Sequence, residues 1–268
     1  MNKLRIFAVK YFKTALGSLY LLSLGLLMGK GRAKLALMAE QFGWKNPEKS
    51  YPTILPKLDI RELFEKGVDI SIHDFMGQDG NVSLLELVVI NSLVKRFSPR
   101  AIFEIGTFDG RTALNMAANS VAEAKVYTLD LPDKEVEEAK KNPLGDIKFV
   151  GKVSIGYKYK GTPHEEKITE LKGDSAEFDY SLYHKKIDMV FIDGAHSYDY
   201  VSSDTENALK IVRGESIILW PDYRPTCEGV TRFLNEYYSK GGMFNNLRWI
   251  DRTNLAILLP SGVMKTLK

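Results

Sequence analysis

Past the first fifty residues, hydrophobic positions in this chain alternate between two rhythms. Ala101–Ile105, Lys125–Leu131, Lys167–Leu171, Ile187–Ile192 and Ser216–Trp220 are short runs rich in apolar and β-branched residues, and each predicts a strand. Before the first of them, Leu84, Leu85, Leu87, Val88 and Leu93 recur at helical spacing. Ser83 and Glu86 stand in capping-box register at the start of that helix, which ends before Pro99. Arg111–Ser120, Asp133–Lys140, Ser197–Val212 (Ser197 as N-cap) and Glu228–Tyr238 predict further helices. Leu247–Ile250 and Leu255–Leu259, joined by a short turn, predict a closing antiparallel hairpin. Strands alternating with helices imply an α/β fold: a seven-stranded, mostly parallel sheet with helices on both faces and the hairpin at its C-terminal end.

The N-terminal arm breaks this pattern. Lys3, Arg5, Lys10 and Lys13 precede an uncharged stretch, Thr14–Gly29, rich in leucine, and Lys30, Arg32 and Lys34 follow it. The stretch is shorter than the roughly 20 residues that a spanning helix needs. Extended back through Lys13 and Lys10, it suits a cationic helix lying in a membrane interface. Packing against its own domain or a second subunit is one alternative. A cleaved signal is another, although no convincing small-x-small site follows. Gln41–Pro56, with Pro47, Pro52 and Pro56, reads as a linker or an extended wrap. The expected division is therefore an arm and linker, 1–56, and a domain, 57–268.

Composition changes the picture in two places. The single cysteine, Cys227, excludes an intrachain disulfide and a multi-cysteine metal site, and points to a reducing, cytoplasmic compartment. The net charge of +3 is unevenly spread: residues 1–50 hold nine Lys/Arg against two Glu, and the remainder is acidic. A mildly acidic body argues against a nucleic-acid groove. It leaves residues 1–34 as the candidate contact with an anionic membrane surface. Association with a second copy of the chain is the other partner expectation.

Candidate chemistry gathers where strands end. Ala101–Ile105 runs into Gly106, Gly110 follows four residues later, and a helix begins, which is how an α/β sheet presents backbone N–H groups to a ligand. Phe108 stands where a dinucleotide fingerprint has its second glycine, which disfavours a nicotinamide cofactor. The next four strand ends carry Asp130, Asp174, Asp193 and Asp222. Any one of these reads as a cap or turn residue. Four on one edge repel unless something positive or hydrogen-bonding lies among them. Asp130, 24 residues beyond Gly106, suits a pair of ribose hydroxyls. Asp193 and Asp222 suit a hard cation such as Mg²⁺. His196 is placed to take a proton, with a helix-start residue bonding backbone as the alternative. Phe178, Tyr180, Tyr183, Tyr198 and Tyr223 supply either an aromatic wall for an acceptor ring or core packing. Asn142–His164, with alternating Ile147–Val150 and Val153–Lys160, reads as a hairpin inserted over this site.

Glu104-Ile-Gly-Thr-Phe-Asp-Gly110, Asp130, Gly173-Asp174-Ser175, Phe191-Ile-Asp-Gly-Ala-His-Ser-Tyr198 and Trp220-Pro-Asp-Tyr223 occur in that order. As an ordered set, over Leu84–Pro260, they resemble a class I S-adenosylmethionine-dependent methyltransferase. The most similar branch includes macrocin-type sugar O-methyltransferases and resembles catechol O-methyltransferase. The resemblance implies a Rossmann-like fold and methyl transfer from S-adenosyl-L-methionine to a hydroxyl of a small molecule or sugar. It implies that Glu104, Gly106, Thr107, Phe108 and Gly110 meet the methionine part, Asp130 the ribose, and Asp174 and Ser175 the adenine, and it counts Asp193 among both the cofactor-binding and the catalytic residues. It puts Asp193 and Asp222 at metal-ligand positions and His196 where a catechol-type enzyme has its lysine base. Tyr223 departs from the pattern, in a place often held by Asn or Asp as a further ligand. The remaining readings are a non-enzymic membrane-associated nucleoside-binding module and a metal-dependent hydroxylase or hydrolase.

Overall fold

The computed structural model describes residues 3–27, 50–64, 67–132 and 154–266. The chain divides into two compact units, 1–49 and 50–268. In the first, helix α1 spans Lys3–Leu22 and a 3₁₀ turn follows at Leu24–Leu27. No helix among the described residues is long and apolar enough to cross a membrane.

Among the described residues, the second unit is built on one eight-stranded sheet. Its strands are β1 (Lys57–Leu58), β2 (Ala101–Ile105), β3 (Lys125–Asp130), β4 (Ile168–Lys172), β5 (Ile187–Ile192), β6 (Val212–Trp220), β7 (Leu247–Ile250) and β8 (Ala256–Leu258). Their order across the sheet is β1-β7-β8-β6-β5-β2-β3-β4. Only β8 runs antiparallel to its neighbours β6 and β7. The sheet has one strand more than the sequence predicts. β1 is two residues long, too short for any periodicity, and pairs in parallel with β7 at the edge.

Helices α2 (Ile60–Leu63), α3 (Leu84–Phe97), α4 (Arg111–Asn119), α5 (Tyr198–Ile211), α6 (Glu228–Lys240) and α7 (Ser261–Met264) are the described α-helices of this unit. The capping box forms at α3: Ser83 N–H donates to Glu86 Oε2 at 2.7 Å and Glu86 N–H to Ser83 Oγ at 3.3 Å. Ser197 caps α5. Strand residues alternate between two apolar layers, as the period of two requires. Ile102, Met189, Phe191, Ile217 and Leu219 pack with Leu87, Ile90 and Leu93 of α3 and Ala113 and Ala117 of α4. Phe103, Val190, Ile192, Ile218 and Trp220 pack with Ala208 and Ile211 of α5 and Phe233 and Leu234 of α6.

Residues 51–56, read from sequence as linker or wrap, run along this second unit. Tyr51 N–H donates to the carbonyl of Pro225, Trp249 N–H donates to that of Pro56, and Leu55 is buried. Residues 154–162 form turns where the sequence predicts half of a hairpin; Gly156 and Gly161 take left-handed φ there. The Asp133–Lys140 helix and the Ile147–Val150 strand lie outside the described residues.

Candidate active site

The sheet order reverses between β2 and β5, the place where α/β sheets leave a crevice at their carboxyl ends. β2 ends at Gly106, with φ +96°. A Cβ there would fall 2.1 Å from the carbonyl oxygen of Asp193 at the end of β5. Glycine at 106 therefore lets two strand ends close on each other. Phe108 also takes a left-handed φ, +48°, an uncommon state for an aromatic residue and one that supports a local constraint at this turn.

The turn's amides are turned inwards. Thr107 and Phe108 N–H both donate to Asp130 Oδ2, at 3.0 and 2.8 Å, while Gly106 N–H goes to the Leu129 carbonyl and Gly110 N–H to that of Thr107. The expectation of a turn with free amides is corrected: the carboxylate at the end of β3 consumes them. Burial pushes the Asp130 carboxyl up, against those backbone donors. Each of its oxygens still has acceptor capacity for a hydroxyl.

Glu104 is fully buried inside β2 and accepts a hydrogen bond from Thr128 Oγ1 on Oε2. Its Oε1 has no partner, and burial raises its pKa well above the carboxylate range. A buried acceptor left open beside the crevice fits a ligand's ammonium donor.

At the far side of the edge, Asp174 accepts a hydrogen bond on each oxygen. Its Oδ1 accepts from Ala176 N–H and its Oδ2 from Tyr200 Oη–H, both at 2.9 Å. Ser175 presents its carbonyl to Tyr180 Oη.

The third group joins β5 to β6. His196 Nε2 lies 2.9 Å from Asp222 Oδ2 and 3.7 Å from Asp193 Oδ1. Asp222 Oδ1 is 2.9 Å from Arg224. Burial pushes the Asp193 carboxyl up to about 6, partly offset by His196. Asp222 holds a left-handed φ of +61°, which aspartate tolerates better than most residues. One ligand atom each from Asp193, His196 and Asp222 lies within 4.8 Å of the others. That set of two oxygens and one nitrogen fits a divalent cation, with Arg224 competing for one oxygen.

A family model described as "Methyltransferase domain" matches residues 103–223, from β2 to Tyr223. Residues 103–223 carry a methyltransferase domain. Solved structures similar to the methyltransferase include the O-methyltransferase TomG from Streptomyces achromogenes in complex with SAM, at 14% identity and TM-score 0.48, covering 76% of this chain and 97% of that one. An O-methyltransferase from Bacillus cereus in complex with SAH is 17% identical at TM-score 0.45, covering 68% and 84%. SAH-bound Podospora anserina methyltransferase PaMTH1 is 14% identical at TM-score 0.48, covering 68% and 81%. No curated protein matches the chain.

Several residues that build the methyltransferase site carry no sequence signal of their own. Asp109 is buried and accepts from Gln78 Nε2, Asn81 Nδ2 and Lys158 Nζ. The Arg111 guanidinium is buried too, donating to the carbonyls of Asp74 and Val82 at 2.7 Å. Together they tie the 74–82 loop and the 154–160 segment to the start of α4. The Tyr159 ring lies so near Gly110 that a Cβ there would fall 2.5 Å from it. The described residues after 153 thus do cover the glycine turn, as turns and not as a strand. Asp204, inside α5, is fully buried beside Ser175 and Gly194, and burial raises its pKa to about 7. An acidic residue in a polar helix gives no hint of this.

Tyr223 is not a site group. Its hydroxyl donates to Asn235 Oδ1 at 2.7 Å and accepts the N–H groups of Ile54 and Leu55 at 2.8 and 3.0 Å. Tyr180 and Tyr183 pack on Phe103, at 5.6 and 5.1 Å between ring centroids, and Phe178 packs on Tyr180 at 5.0 Å. Tyr198 stacks on Phe233. These contacts follow the core alternative read from the sequence, so the aromatic wall is not proposed.

Proposed function

We propose that this methyltransferase delivers its methyl group to a hydroxyl oxygen of a small molecule or sugar. The supporting observation is His196, held between Asp222 and Asp193 at the end of β5 beside the glycine turn. S-adenosylmethionine supplies an electrophilic methyl group when bound. Glu104 and the Gly106-Thr107-Phe108-Gly110 turn would bind its amino-acid end, Asp130 its ribose, and Asp174 and Ser175 its base, with Asp193 closing the rim. His196 then accepts the acceptor's hydroxyl proton on its ring. Asp222, steadied by Arg224, favours the resulting imidazolium. Aligning the acceptor oxygen with the methyl carbon supplies much of the rate.

The Asp193–His196–Asp222 spacing supports a second arrangement, in which these residues hold Mg²⁺ or a similar ion that lowers the acceptor's pKa. The domain would work in the cytoplasm, peripheral to a membrane, without nucleic acid; self-association is the other partner reading. Calorimetric titration with S-adenosylhomocysteine, with and without Mg²⁺, tests the reading beside Asp130→Asn. Micromolar binding, weakened at least tenfold by the substitution, is expected; absence of binding in both conditions overturns it. A gain with Mg²⁺ that Asp222→Asn removes selects the ion arrangement.

A further inference from the structure

The helix of the first compact unit is unlike an ordinary surface helix. Phe12, Leu16 and Leu19 recur at i, i+4 and i+7 on α1 and so share one side. They are 66%, 52% and 65% exposed. Leu22, Leu24 and Leu27 continue the apolar series at 62%, 61% and 82%. Lys13 and Gly17, also one turn apart, lie on a different side. Scattered exposed leucines are normal, but a contiguous series of this size marks a contact surface.

Charge identifies the partner. Residues 1–34 carry Lys3, Arg5, Lys10, Lys13, Lys30, Arg32 and Lys34 and no Asp or Glu. Two copies of such an arm repel, whereas an anionic lipid surface attracts each cation by about 1 kcal/mol. The 20 residues of α1 measure about 30 Å, but Lys10 and Lys13 fall in the middle, where a crossing helix would bury them. We infer that residues 3–27 lie flat in the headgroup region of an anionic bilayer, with Phe12, Leu16, Leu19, Leu22, Leu24 and Leu27 on its acyl side. The methyl acceptor would then be met at, or delivered from, a lipid surface.

Co-sedimentation of the full chain with vesicles tests this. On phosphatidylglycerol–phosphatidylcholine vesicles in low salt the protein should pellet. Pure phosphatidylcholine, or a shift to about 0.5 M salt, should weaken binding at least tenfold through loss of the electrostatic contribution. Leu16→Glu with Leu19→Glu, and separately Lys10→Glu with Lys13→Glu, should each weaken it at least tenfold and leave S-adenosylhomocysteine affinity unchanged. The inference falls if the wild type stays in the supernatant with anionic vesicles, or if both double variants pellet like wild type. It falls equally if the wild type is a dimer that Leu16→Glu with Leu19→Glu turns into a monomer while vesicle binding is absent.

Discussion

His196 Nε2 is 2.9 Å from Asp222 Oδ2, nearer than the 3.7 Å that separates it from Asp193 Oδ1. The ring thus sits nearer the carboxylate at the end of β6 than the one at the end of β5. Replacing it should remove proton acceptance and leave ligand binding alone. With a radiolabelled methyl donor and any hydroxylated acceptor the wild type turns over, His196→Ala should lose about 10²–10⁴ in kcat. S-adenosylhomocysteine affinity should stay within twofold. A loss under threefold would remove His196 from the proposed chemistry.

Gly106→Ala should be among the most damaging small substitutions. Its methyl group would sit 2.1 Å from the Asp193 carbonyl oxygen at a φ of +96°. Strain and collision together should cost on the order of 3 kcal/mol. In thermal unfolding this is a fall of roughly 6–12 °C. A shift below about 2 °C would show that β2 and β5 need not close so tightly.

Tyr223→Phe separates a structural tyrosine from a functional one. The hydroxyl satisfies the N–H groups of Ile54 and Leu55 and itself donates to Asn235. Its loss should destabilise the domain by about 2 kcal/mol. Limited proteolysis should then cut sooner within 50–56. Any response to Mg²⁺ should match the wild type; a changed response would return Tyr223 to the site.

Asp204 predicts an unusual pH dependence. An unfolded aspartate titrates near 3.9, and burial moves Asp204 to about 7. Between those values the folded chain keeps a proton that the unfolded chain has lost. Stability from this group is therefore full below about pH 4 and disappears as pH rises through about 7. Asp193, raised to about 6, acts in the same direction. Asp204→Asn should stabilise the protein more at pH 8 than at pH 5 in denaturant titrations. A stabilisation that does not vary with pH would contradict the buried-carboxylate account.

What was legible in the sequence was whatever depends on local pattern. The strand around Phe103, the Ser83–Glu86 cap and the closing hairpin follow from periodicity and capping chemistry, and the structure has each of them. The ordered strand-end residues Asp193 and Asp222 do meet at one edge, on either side of His196. What the sequence hid depends on which partner wins a donor. Asp130 was read as open to a ligand, and in the fold it also takes two turn amides, which no spacing foretells. Tyr223 follows Asp222 directly, yet its hydroxyl turns into the interior towards Ile54 and Leu55. Asp109, Arg111 and Asp204 look like solvated charges in one dimension and are buried in three. No spacing rule reports burial that depends on distant loops such as 74–82.

The strap formed by residues 51–56 has a consequence for how such a protein can be recombined. The division between compact units falls after Lys49, while Asn235 Nδ2 donates to the Pro52 carbonyl and Tyr51 Oη meets Glu228. A graft made at Ser50 keeps both contacts. A graft made at residue 57 would strip the Tyr223 hydroxyl of both its N–H donors and loosen the loop that begins with Asp222. The module to be moved therefore begins at Ser50, seven residues before the first strand.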